Sequence, residues 1–242
     1  MSTVKQDTRT RDILGTSALR PDGVAKVMGS FSFSSDMWAE NMLWGATLRS
    51  PHPYARIISI DTTAALLISG VSAVITAQDV PGKATYGLIS ADQPVFASDF
   101  VRYMGEPVAA VAADHPETCR RALAAIIVNY EVLTPVVDPE LAMLVTTEQI
   151  HPDGNLIRHQ HILHGDPLIT SDITVEGNYT IGMQDQAFLG LEAAMAFPDL
   201  GGNGVELHIA TQWLHEDRGQ IAACLKLPED NVRLVLGGVG GA

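Results

Sequence analysis

Cysteine is scarce in this chain, with only Cys119 and Cys224 among 242 residues. They stand far apart and outside any metal-ligand spacing, so both read as buried or incidental thiols of a reducing compartment. Basic residues are also few. Lys and Arg total 15 against 28 Asp and Glu, a formal charge of -13. A surface that acidic repels nucleic-acid phosphates and anionic lipid headgroups, which argues against a role on either. No apolar run approaches the roughly 20 residues that span a bilayer. The stretch from Met1 to Asp12 is polar and lacks the apolar segment of a signal peptide. The expectation is a soluble cytoplasmic protein. Charged residues make up 18% and hydrophobic ones 46%, a balance that supports a sizeable core and argues against general disorder. The length suits one large domain or two small ones, at roughly 100–200 residues each.

What is present is organised around the run from Gly182 to Ala196. It sets Gln184, Asp185 and Gln186 among small and apolar residues, and core positions accept polar groups only where something bonds to them. The second feature is the glycine-rich stretch from Leu236 to Ala242. A polar wall and a bare backbone loop together suit a large, polar, phosphate-bearing cofactor.

Upstream, Arg20-Pro21-Asp22-Gly23 is turn chemistry. Alternation predicts a short strand at Phe31 and Phe33, and further strands over Met42–Arg49, Ala55–Asp61 and Val71–Thr76. Pro51 and Pro53 remove two donors between the second and third of these and predict a hairpin-like reversal. Thr62 to Leu67 suits one or two helical turns, and residues 83–98 read as loop. Val108–Ala113 is a strand of small residues packed on both faces. Pro116 at a first helical position, with Asp114 or His115 at the cap, starts a helix on which Ala122, Ala125 and Ile126 share a face. Val128–Leu133 is again a strand. Scattered Pro, Gly and His then mark a linker. Beyond it Ile173–Thr180 alternates as a strand, and Val205–Ala210, a helix over Trp213–Leu225 and a strand over Asn231–Leu236 follow. That last strand is expected to leave an exposed apolar edge.

Several tempting residues carry bland readings. His159, His161 and His164 lack a carboxylate or cysteine to complete a metal set. Glu106 reads as a buried acid bonded to nearby backbone. Ser50 and His52 are too close along the chain to form a nucleophile–base pair.

The ordered pieces resemble the molybdenum-binding large subunit of xanthine dehydrogenases and their molybdenum-hydroxylase relatives, most of all the bacterial separate-subunit type. The matching pieces are Arg20 to Val27, Leu48 to Ile57 and, most specifically, Val101 to Ala112. Further on they are Gly165-Asp166-Pro167, Gln184 to Leu189, Thr211-Gln212 and the final glycines. The resemblance implies an α+β chain with a polar tail over residues 1–18 and an a/b hammerhead domain over 19–140. A linker over 141–164 then leads to the beginning of a molybdopterin-binding domain over 165–242.

It also implies hydroxylation of an electron-poor purine carbon (hypoxanthine or xanthine) with oxygen drawn from water. Electrons would leave through Fe–S clusters and FAD on partner subunits of a hetero-oligomer. On this resemblance Gln184 is the catalytic amide, hydrogen-bonded to a metal oxygen or to substrate. Gln184, Phe188, Gly240, Gly241 and Ala242 are the residues that bind the molybdenum cofactor. The chain departs from the family pattern at Met28 and Gly190, which stand where threonine and glutamate are common. The family's catalytic glutamate and substrate arginine fall beyond residue 242, so the chain by itself is expected to be inert. Two other readings stay open: a different molybdenum hydroxylase acting on an aldehyde, a nicotinate-like ring or carbon monoxide, and a non-catalytic remnant that binds partner subunits.

Overall fold

The computed structural model describes residues 15, 17, 19–166, 169–185, 187, 192–199 and 201–238. In chain order its elements begin with helix α1 (Gly23–Val27), a 3-10 turn at Ser34–Asp36, and strands β1 (Trp44–Arg49) and β2 (Ala55–Asp61). Helix α2 (Thr63–Leu66) leads to β3 (Val71–Thr76), the two-residue strands β4 (Thr85–Tyr86), β5 (Gln93–Pro94) and β6 (Phe100–Val101), and then β7 (Pro107–Ala113). Helix α3 (Pro116–Ala125) returns to β8 (Ile127–Val132), and α4 (Pro139–Ala142) follows. Further along come β9 (Ala194–Pro198), β10 (Val205–Ile209), α5 (Leu214–Leu225) and β11 (Val232–Leu236).

β7 is the wall of the first unit. It lies between β1 and β3, antiparallel to both. Period-two geometry sends Ala109, Val111 and Ala113 to one face, where they pack with Ala65 of α2 and with Cys119 and Ala122 of α3. Val108 faces the other way, into a second cluster with Ala55, Ala97 and Val101. That cluster sits on the sheet ordered β6-β2-β8. Small side chains on β7 let α3 approach closely, and β7 is buried on both faces as its composition predicts. The start of α3 is also as expected. His115 caps it, its Nδ1 accepting the N–H of Glu117 at 3.1 Å, with Pro116 at the first helical position.

Several expectations are overturned. β1 and β2 form no hairpin, because each pairs in a different sheet. The proline link between them carries the chain across, and Ser50 is held instead by Glu106, whose backbone carbonyl accepts the Ser50 N–H at 2.9 Å. Phe31 and Phe33 are not in a strand. Their rings meet edge to face at 5.1 Å between centroids and pack against the distant Gly238. Residues 83–98 contain the small β4–β5 pair rather than loop alone. A short helix, α4, straddles the boundary expected at 140/141, and Asp138 caps it through the N–H groups of Glu140 and Leu141. The strand expected over Ile173–Thr180 does not form; the segment is irregular and exposed, since no neighbouring strand among the described residues supplies its hydrogen bonds. Among the described residues no helix is long and apolar enough to cross a membrane.

Candidate cofactor site

The second unit is a three-stranded sheet ordered β11-β10-β9, in which β10 and β11 run parallel and β9 antiparallel. Parallel neighbours need a crossover, and α5 provides it. The register pairs Val205 with Val232 and Ile209 with Leu236, so both strands end at the same level. The chain leaves β10 through Thr211 and Gln212, and leaves β11 into the glycines. Their carboxyl ends therefore open side by side, the place where open sheets of this kind hold ligands.

Local bonds shape this mouth. The Gly237 N–H donates to the Ile209 carbonyl at 2.7 Å, extending the pairing one residue past the strands. The Thr211 hydroxyl accepts the Trp213 N–H at 3.1 Å and donates to the Asp217 carboxylate, which ties the entry of α5 to the end of β10. The exposed Gln212 side chain has no hydrogen-bond partner among the described residues.

The two described glycines of the loop are packed tightly by a segment from the far end of the chain. A Cβ on Gly237 would come within 2.0 Å of Ser34 Oγ, and one on Gly238 within 2.1 Å of the Phe31 ring. Only glycine permits so close an approach. Ser34 is buried, and among the described side chains its Oγ is the buried polar atom without a hydrogen-bond partner. Nothing local in the sequence marks Phe31, Phe33 or Ser34 as neighbours of this loop. The only signal is the pair of bare positions some 200 residues away, which says that something packs closely there and not what.

The two units also meet away from this mouth. The N–H groups of Gly82 and Lys83 donate to the carbonyls of Cys224 and Ala223 at the end of α5, both at 2.9 Å. The Gly87 N–H donates to Gln220 Oε1 at 2.9 Å. Between them lies an open cleft of about 240 Å³, lined by Lys83, Thr85, Tyr86, Glu216 and Gln220 among others. Burial there raises the Tyr86 hydroxyl above its ordinary pKa.

Of the residues expected at a cofactor site, Gln184 is described. It is exposed in irregular chain, and among the described residues no hydrogen bond joins it to the mouth of β10 and β11. Next to it Asp185 accepts the Ala187 N–H at 3.4 Å, with Ala187 at a φ of 48°. Phe188, Gly240, Gly241 and Ala242 lie outside the described residues. Glu106 behaves as the bland reading has it, buried and accepting the Arg102 N–H.

Residues 28–134 match the aldehyde oxidase and xanthine dehydrogenase a/b hammerhead domain, and residues 150–242 match the molybdopterin cofactor-binding domain. The chain belongs to the aldehyde oxidase and xanthine dehydrogenase family. It is a hammerhead domain followed by the start of a molybdenum-binding domain. It is 36% identical over 229 residues to a probable xanthine dehydrogenase subunit of Bacillus subtilis, covering 93% of this chain and 31% of that protein. To the nicotinate dehydrogenase large molybdopterin subunit of Eubacterium barkeri it is 34% identical over 232 residues, covering 95% and 54%. The aldehyde oxidoreductase structure from Desulfovibrio gigas superposes with a TM-score of 0.82 at 28% identity, covering 92% of this chain and 26% of that one. The chain thus spans about a third of the first relative and about half of the second.

The described residues fit the family's cofactor as a rim. The amides of Gln184 and Gln212 are exposed and make no hydrogen bond among the described residues. The cradles at Gly237 and Gly238, by contrast, are already filled by Ser34 and Phe31.

Proposed function

We propose that this chain is the cofactor-side component of a molybdenum-dependent hydroxylase of the xanthine dehydrogenase type. The observation that carries the reading is the side-by-side exit of Thr211–Gln212 and of the glycine loop from the level carboxyl ends of β10 and β11. When bound, the cofactor supplies two-electron chemistry, in which a C–H bond gives way to a C–O bond with oxygen from water and two electrons and two protons depart.

The chain's own residues have simpler tasks. Gln184 and Gln212 offer amide donors and acceptors to polar atoms of cofactor or substrate. Phe188 supplies an apolar contact, and the loop at Gly240, Gly241 and Ala242 offers backbone N–H groups without side chains in the way. Phe31 and Ser34 hold the root of that loop at a fixed distance from β10. Electrons pass on to Fe–S and FAD partner subunits, and the substrate is a purine such as hypoxanthine or xanthine. A second reading, a nicotinate-like ring, is favoured by the Eubacterium barkeri relative, of which this chain covers the larger share.

The test is molybdenum content across a gel-filtration profile of the complex purified from its native host, with the mass of this chain followed in every fraction. The expected result is molybdenum co-eluting with the chain in a larger assembly, with purine oxidation exceeding nicotinate oxidation in those fractions. Nicotinate oxidation alone would select the second reading. No molybdenum in any fraction containing the chain would overturn both and leave a subunit-binding remnant.

A further inference from the structure

Two polar groups meet without a bond at the mouth of β10 and β11. One is the hydroxyl of Ser34, a residue 4% exposed, whose Oγ has no hydrogen-bond partner. The other is the N–H of Gly238, a buried residue, and it donates no hydrogen bond among the described residues. Native interiors leave few such groups, and each asks for a reason. The two are neighbours. Ser34 Oγ stands 2.0 Å from where a Gly237 Cβ would be, and the Gly238 N–H belongs to the peptide that leaves that same Gly237. They are also complementary, since a hydroxyl oxygen accepts and an N–H donates. Ser34 is the fixed member of the pair. The Phe33 N–H donates to the Asp36 carboxylate at 3.0 Å and the Asp36 N–H donates to the Phe33 carbonyl at 2.9 Å, which closes the turn that carries Ser34. The peptide between Gly237 and Gly238 is the movable member. Glycine accepts both signs of φ, so this peptide turns at little steric cost. Meanwhile the Gly237 N–H stays on the Ile209 carbonyl at 2.7 Å and keeps the root of the loop in place.

We propose that Ser34 is a positioning residue for the cofactor: its hydroxyl accepts the Gly238 N–H when the cofactor is bound, and that bond sets the direction in which the glycine loop leaves β11. The inference rests on the functional reading above. It gives the hammerhead part of the chain, to which Ser34 belongs, a share in a site otherwise built by the second unit. Ser34 acts through the backbone of the loop and does not itself touch the cofactor. Turning one peptide satisfies both orphaned groups at once. Cofactor binding and this pairing favour the same arrangement, so each strengthens the other. The pairing helps to retain the cofactor, and the cofactor in turn protects the Gly238 amide.

The experiment compares the complex purified from its native host with the same complex from cells unable to make the pterin cofactor, as parent, Ser34→Ala and Ser34→Cys. Hydrogen exchange with residue-level fragmentation reads the Gly237 and Gly238 amides. Molybdenum release during dialysis reads retention, and thermal melting reads stability. In the parent the cofactor is expected to slow the Gly238 amide by about tenfold or more, with the Gly237 amide slow throughout. Ser34→Ala abolishes that slowing and speeds molybdenum release by about tenfold. The cofactor-free alanine variant nevertheless melts no lower than the parent, because it loses only a hydroxyl without a partner. Ser34→Cys keeps the shape with a weaker acceptor and falls between the two. A purely structural Ser34 would instead lower the melting of both forms alike. That result, or unchanged molybdenum release from Ser34→Ala, would overturn the proposal. Molybdenum retained while the Gly238 amide exchanges equally with and without cofactor overturns this proposal alone. A complex without molybdenum overturns the functional reading and this one with it.

Discussion

Replacing Glu106 tests the hammerhead core at its most exacting point. Its side chain is 2% exposed and accepts the Arg102 N–H, while its backbone carbonyl holds Ser50. Alanine removes a bond to a carboxyl group worth about 1.5–3 kcal/mol, strands a buried N–H and vacates side-chain volume, for a loss of about 3 kcal/mol or more. Glutamine keeps the shape and a carbonyl acceptor, so Glu106→Gln costs about 1 kcal/mol. With a urea slope of about 2 kcal/mol per molar, the midpoints fall by about 1.5 M and about 0.5 M. Circular dichroism during urea titration reads both. An alanine variant within about 0.5 kcal/mol of the parent would refute the reasoning, as would a glutamine variant as damaged as the alanine one.

Gly82→Ala places a Cβ 2.1 Å from the Ala223 carbonyl oxygen. It should therefore part the loop from α5 and deprotect the amides of Gly82 and Lys83 in hydrogen exchange, leaving β7 untouched; protection equal to the parent's would contradict the contact. The Glu206 carboxyl is held below its ordinary range first by its hydrogen bond to His208 at 2.7 Å, with the Arg233 charge adding to it. A depressed carboxylate stabilises fully above its unfolded pKa and loses that contribution as pH falls through the folded one. Glu206→Gln should accordingly flatten the decline of the unfolding midpoint below about pH 4.3, and parallel acid limbs in the two proteins would count against the pairing.

The elements that could be read in advance are those whose causes are local. β2 and β3 show alternation bounded by turn residues, and α3 carries its own cap and proline. What escaped reading depends on partners far along the chain. Phe31 and Phe33 alternate as a strand does, but their rings are met by Gly238 rather than by a neighbouring strand. β1 and β2 look like a hairpin because β7 and β8, which part them, lie some 60 to 80 residues on. The alternation of 173–180 is real, yet alternation states only which face an extended chain would bury. The amides and glycines of the candidate site stand in the sequence as an expectation, whereas the Ser34 buttress against Gly237 is a tertiary fact with no local trace.

That buttress also has a consequence in time. Phe31, Phe33 and Ser34 leave the ribosome early, whereas Gly237 and Gly238 follow roughly 200 residues later, about 10–40 s at ordinary synthesis rates. For that interval two aromatic rings wait without their surface, while the hammerhead, whose contacts lie almost wholly within residues 44–132, has all its chain available. The earlier-made segment thus waits for the later-made one. A nascent chain stalled before residue 237 should present Phe31 and Phe33 to a chaperone, and release should come with the glycines.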